Sequence, residues 1–167
     1  MPNEAVWLTA DDAIEFNRLA VEQTSEPFFV RDRSLLEGAM ASPRNHWHYG
    51  ESRLPVLAAH MLLALARDHP FEQGNKRVAL LAADAFLAAN GFDLQYPDVG
   101  FEALIVGAIA RTISQPTFVE EFAASVAQIQ VPNRRPKRLR NSKRFLGNRS
   151  FAQRRADAKA KRTKRKR

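Results

Sequence analysis

The feature that most limits what this chain can fold into is Leu54 to Arg67, LPVLAAHMLLALAR, a stretch that is apolar on nearly every helical face. A helix of that kind must be surrounded by other elements to bury its surface, so the segment predicts a helix at the centre of a domain. Pro55 falls in the first turn, where its fixed φ and missing N–H are tolerated. His60, inside the stretch, reads most simply as a hydrogen-bonded core residue.

The flanking sequence supplies helices to pack around it. Thr9 precedes Ala10, Asp11 and Asp12, an N-cap followed by an acidic first turn that suits the positive end of the helix dipole. With the stripe Ile14, Phe16, Leu19 and Val21, this predicts a helix to about residue 23. Ala5 to Leu8 reads as a short extended piece, and EPFFV at 26–30 as a loop or short hairpin. Asp32 caps a second predicted helix through Leu35, Leu36, Ala39 and Met40 that stops near Ser42 and Pro43. Val78, Leu81, Ala82, Ala85, Phe86 and Ala89 follow the i, i+3, i+4, i+7 pattern, with Asn90 and Gly91 as the stop. Another helix is expected from about Asp98 to Ser114, and Thr117 with Glu120 reads as a capping box for a last one through Gln128. The longest alternating pattern is FDLQ at 92–95, so the domain is expected to be mostly α with at most short β pieces.

Charge divides the chain. The formal net charge is +8 over 167 residues. Residues 1–132 hold 9 Lys plus Arg against 17 Asp plus Glu, a net of −8, whereas residues 133–167 hold 17 basic side chains and one acid, a net of +16. A domain over residues 1–131 is therefore expected, followed by a basic tail over 132–167 whose like charges favour disorder or a solvated helix. Such a tail can add affinity for RNA or the ribosome by neutralising phosphates. The absence of Cys excludes disulfides, thiolate zinc sites and cysteine nucleophiles, and fits a reducing compartment. No apolar run reaches the roughly 18 residues of a membrane span, and the N-terminus lacks the pattern of a signal peptide, so a cytoplasmic protein is expected.

The chemistry concentrates in HPFEQGNKR, residues 69–77, between the two apolar helices. Gly74 before a helix start lets backbone N–H groups approach an anion, and the positive helix end adds favourable potential. Asn75 can supply amide donors, Arg77 a forked guanidinium suited to phosphate oxygens, and Lys76 a mobile point charge. His69 carries a ring whose unperturbed pKa near 6.5 suits proton transfer from an attacking hydroxyl at neutral pH. Phe71 is the anchor that turns the loop into the core. A phosphate cradle beside a base points to phosphoryl or nucleotidyl transfer. Elsewhere, NHWHY at 45–49 reads as a surface loop rather than a metal pair, since no third ligand is evident. Asp68 is adjacent to His69, but adjacent residues seldom face each other.

HPFEQGNKR resembles the motif of the Fic/Doc (Fido) superfamily, with Lys76 as in its Doc, or death-on-curing, branch. The likeness extends to residues 31–51 and covers roughly residues 5–128. It implies a mostly α Fido-fold domain in which His69 activates a target hydroxyl and Asn75 and Arg77, with Gly74 and Lys76, hold nucleotide phosphates. It further implies ATP as substrate with Mg²⁺, a cognate antitoxin, and transfer of the terminal phosphate to a threonine of elongation factor Tu. Transfer of AMP is the alternative, which Lys76 disfavours. Relatives carry Asp or Glu at the position of Gln73, where the carboxylate binds Mg²⁺, and a neutral amide is a poorer partner for that ion. Either phosphates and water hold the metal, or activity is weakened and the chain acts as a scaffold that binds partners or nucleic acid. SLLEG at 34–38 resembles the motif of self-inhibited Fic enzymes with a spacing one residue short, and reads as helix.

Overall fold

The computed structural model describes residues 4–95 and 100–129. The chain divides into two units, Met1–Val131 and Pro132–Arg167, and the description concerns the first. The basic segment lies outside the described residues, as does Asp98, the expected start of the fifth helix.

Six helices and one two-stranded sheet make up the described unit: α1 (Ala10–Thr24), α2 (Arg33–His48), α3 (Leu54–Asp68), α4 (Asn75–Ala89), β1 (Phe92–Leu94), α5 (Phe101–Ile109), α6 (Gln115–Ala124) and β2 (Val126–Gln128). The fold is mostly α, as its patterns imply. Among the described residues no helix is long and apolar enough to cross a membrane.

The all-apolar segment is the centre. Nine residues of α3 are buried, from Val56 to Ala66, and α3 packs most extensively on α2 and α4, with α6 and α5 closing further sides. Phe71, Phe86, Phe118 and Phe122 are fully buried around it. α1 begins with a complete capping box between Thr9 and Asp12. Its buried face is Ala13, Phe16, Asn17, Ala20 and Val21, rotated from the Ile14–Leu19 stripe read in the sequence. Small residues at 13 and 20 leave room for α1 to lie against α4.

Two helix ends differ from expectation. α2 runs through Pro43 to His48 and takes NHWH into its last turn, so this stretch is helix and not a surface loop. Proline removes one backbone donor, but the turn beyond it is held by side-chain packing: Trp47 meets Trp7 edge-on at 5.9 Å and His46 stacks on His60 at 3.8 Å. α5 stops at Ile109 because the chain turns back on Gly107, whose carbonyl accepts from Thr112 and Ile113 N–H at 2.9 and 3.1 Å. A Cβ at Gly107 would lie 2.7 Å from the end of the Ile113 side chain, so any larger residue there requires Ile113 to shift.

The last helix is capped by Ser114, which accepts from Thr117 N–H, with Pro116 in the first turn. Glu120 faces Arg53 at 3.2 Å and takes no part in a capping box. After Ala124 the chain becomes β2, antiparallel to β1 with Phe92 opposite Gln128 and Leu94 opposite Val126. Ala5–Leu8 forms no strand, and Val6 exchanges two backbone hydrogen bonds with the Asn90 side chain instead.

Candidate active site

α3 and α4 are joined by a six-residue turn, His69–Gly74, and every residue singled out in the motif lies on this turn or in the first turn of α4. His69 is the C-cap of α3 in the left-handed region, φ 49° and ψ 52°, and is exposed. A non-glycine residue held there marks a local constraint, and its effect is to end α3 sharply with the imidazole in solvent. Pro70 and Phe71 then turn inward, and Phe71 is fully buried.

Asn75 fixes the shape of the turn. Its Oδ1 accepts from Phe71 N–H at 2.9 Å and its Nδ2 donates to Phe71 O at 2.8 Å, which closes the loop as a side-chain replica of a backbone pair. The side chain is buried and engaged with the loop, where the sequence reading had it supplying donors to a phosphate. Asn17 braces the next residue by donating from Nδ2 to Gln73 O at 2.7 Å. Gly74 has φ 79°, and a Cβ there would stand 3.1 Å from Asn17 Nδ2 and 3.3 Å from Val21. Both the dihedral and the close approach of α1 call for glycine.

The N-terminus of α4 is open. Gly74 offers no side-chain cap, no acidic residue occupies the first turn, and Val78 N–H makes the first bond of the helix, to Gly74 O at 2.9 Å. The N–H groups of Asn75, Lys76 and Arg77 thus have no partner among the described residues. Three free donors at the positive end of a 15-residue helix form a site for an oxyanion, and exposed Lys76 stands beside them.

Arg77 is engaged within the protein. Its Nη1 donates to Ala20 O at 3.0 Å and Thr24 Oγ1 at 2.8 Å, and its Nη2 pairs with Glu26. Hydrogen bonding from Thr24, and then from Arg77, holds the Glu26 carboxyl below its ordinary range. Arg77 therefore ties the end of α1 to α4, and any anionic ligand would have to compete with Glu26 for it. From Glu26 the chain enters EPFFV, which lies along the motif: Val30 bridges antiparallel to Phe71, Arg31 N–H donates to Pro70 O at 2.8 Å and Glu72 N–H to Phe29 O at 3.0 Å. Arg18 of α1 covers the Phe28 ring at 4.3 Å.

A protein-held Mg²⁺ does not fit these residues. Gln73 is exposed and neutral, and Glu72 is turned to Arg31 at 3.6 Å. Among the described residues no group of three or more His, Asp or Glu could hold a metal ion. His60 faces His46 and Gln115, whose Nε2 is 3.3 Å from His60 Nδ1, and burial first, then His46, push its pKa down.

The sequence reading missed Asn17, Thr24 and Glu26. Asn17 had a detectable signal, a polar residue on the same helical face as Ala13, Ala20 and Val21. Thr24 and Glu26 had none, because their partner is 51 to 53 residues away in the chain.

Residues 7–87 match the family model described as Fic/DOC family. Over 68 residues the chain is 46% identical to Toxin Doc of Mycolicibacterium smegmatis (strain ATCC 700084 / mc(2)155), a stretch that covers 39% of this chain and 52% of that protein. The chain thus spans about half the length of this curated relative. The HPFEQGNKR turn between α3 and α4 thus lies within a segment similar to the Fic/Doc family, and the chain resembles a Doc toxin over part of its length.

Proposed function

We propose that the chain is a Doc-like toxin of a toxin–antitoxin pair that transfers the terminal phosphate of ATP to a hydroxyl of a protein target. The observation that carries this reading is the pairing, across one braced turn, of exposed His69 with the open N-terminus of α4. In the step inferred, the His69 imidazole takes the hydroxyl proton as the target oxygen bonds to the γ-phosphorus, the bond to the β–γ bridging oxygen breaks, and ADP leaves. The N–H groups of Asn75, Lys76 and Arg77 and the helix dipole balance charge on the transferring phosphate. Asn75 and Gly74 give the turn its shape, and Lys76 adds positive charge. Mg²⁺, where the nucleotide carries it, would offset phosphate charge, since Gln73 and Glu72 offer it no site.

By resemblance the target is elongation factor Tu, and the relative's printed name, Toxin Doc, supports a toxin with a cognate antitoxin. Gln73 and the engaged Arg77 favour a second reading, a weakened scaffold that binds partners or RNA, through residues 133–167 in the case of RNA. Incubation of a lysate with ATP labelled at either the α or the γ phosphate separates the readings. The kinase reading expects γ label on protein that disappears in His69→Ala. Label from the α position would mean AMP transfer, and no His69-dependent label would leave the scaffold.

A further inference from the structure

A cleft of about 360 Å³ opens between α2 and the end of α3, lined by Gly38, Ser42, Asn45, His46, Tyr49 and Asp68. We propose that this cleft seats a basic side chain, Arg or Lys, of the target segment that presents its hydroxyl to His69. The inference rests on the reading of His69 as the group that meets a target hydroxyl.

Position comes first. Asp68 is the last residue of α3 and His69 its C-cap. Their Cα atoms are about 3.8 Å apart, so a single bound segment that crosses the end of α3 spans both residues. Asp68 lines the cleft, and among the described residues no hydrogen bond or ion pair joins it to His69. Its carboxylate is thus available to a guest and has no part in orienting the imidazole.

Charge selects the guest. Asp68 is the one carboxylate on the lining, no Lys or Arg is on it, and Ser42, Asn45 and Tyr49 add neutral oxygens. A cation with several N–H donors matches that set, and an anionic side chain would be repelled by Asp68.

Gly38 gives an independent sign. It sits inside α2, where glycine weakens a helix by about 0.5–1 kcal/mol relative to alanine. An added Cβ would meet nothing within 4 Å, so neither crowding nor a left-handed backbone calls for glycine there. The space it leaves open adjoins the cleft, since Gly38 is part of the lining. His46 of the lining is held in place, because it stacks on His60 of α3 at 3.8 Å.

The test is direct binding of fluorescein-labelled peptides to the full chain, read by anisotropy. The peptides carry one threonine flanked by Arg, Gln or Glu. The Arg peptide is expected to bind about tenfold more tightly than the Gln peptide, the size of one charge-assisted hydrogen bond, and the Glu peptide most weakly. Asp68→Asn should erase the advantage of Arg and leave the Gln peptide unchanged. Gly38→Leu, which improves helix propensity and so preserves folding, should weaken the Arg peptide by filling the cleft. Equal affinity for the three peptides, an Arg preference that survives Asp68→Asn, or no binding of any peptide up to about 1 mM overturns the proposal. Binding needs no turnover, so an Arg preference without labelled product would retain the cleft and discard phosphate transfer. Labelled product without the preference would do the reverse.

Discussion

Asn75 shows how one side chain sets the geometry of a site. Its amide replaces a missing backbone pair at Phe71 and holds the turn that separates His69 from α4, with bonds of 2.8 and 2.9 Å. Removing it leaves a buried N–H and a buried C=O unpaired, each with a desolvation penalty of about 1–3 kcal/mol. Asn75→Ala should therefore lower unfolding free energy by about 2–4 kcal/mol in denaturant titration, and speed hydrogen exchange at the Phe71 amide. An unchanged Phe71 amide would mean that the turn is shaped by something else. The motif residues were legible in the sequence because their types and spacing are local. The destination of their side chains was not, since Asn75 turns back on Phe71 and Arg77 reaches Thr24 and Glu26 through the packing of α1 on α4.

At the level of elements, the periodic and capped segments were readable, and the errors fall where tertiary contacts overrode local signals. α3, the start of α1 and both ends of α4 follow from apolar pattern, Thr9, and the Gly74 and Asn90–Gly91 boundaries. The extension of α2 past Pro43 depends on Trp7 and His60, and the shift from helix to strand at Val126 depends on the free edge of β1. No window of sequence contains those partners. The meeting of α4 with β1 also has an electrostatic consequence. Asp84 of α4 has its pKa pushed up to about 6, by burial first and then by Asp93 of β1. Folding thus retains a proton that the unfolded chain releases near pH 4, so stability falls as pH rises from about 4 to 6 and stays lower above that. Asp84→Asn should raise stability at pH 7 by about 1–2 kcal/mol and flatten the pH dependence of the melting temperature between pH 4 and 7. A wild-type melting temperature that rises across this window with no change in Asp84→Asn would contradict the assignment.

Across the whole chain, an acidic helical unit with net −8 is joined to a segment with net +16. If residues 133–167 contact RNA by neutralising phosphates, binding must weaken steeply with salt and without sequence preference. The full chain should bind RNA with a logarithmic salt slope of several units, and a chain ending at Gln130 should bind little. Equal retention of the two on RNA would remove the tail from the account. The division of charge was legible by counting, whereas the cleft beside His69 was not, because α2 and the end of α3 build it from residues up to 30 positions apart. On the function proposed above, His69 and the open end of α4 move one phosphate to a protein hydroxyl. The most direct measurement is the intact mass of purified elongation factor Tu after incubation with ATP and the full chain. Wild type should add one phosphate and His69→Ala none. An unchanged mass, the gain of AMP, or a phosphate that persists in His69→Ala would contradict that function.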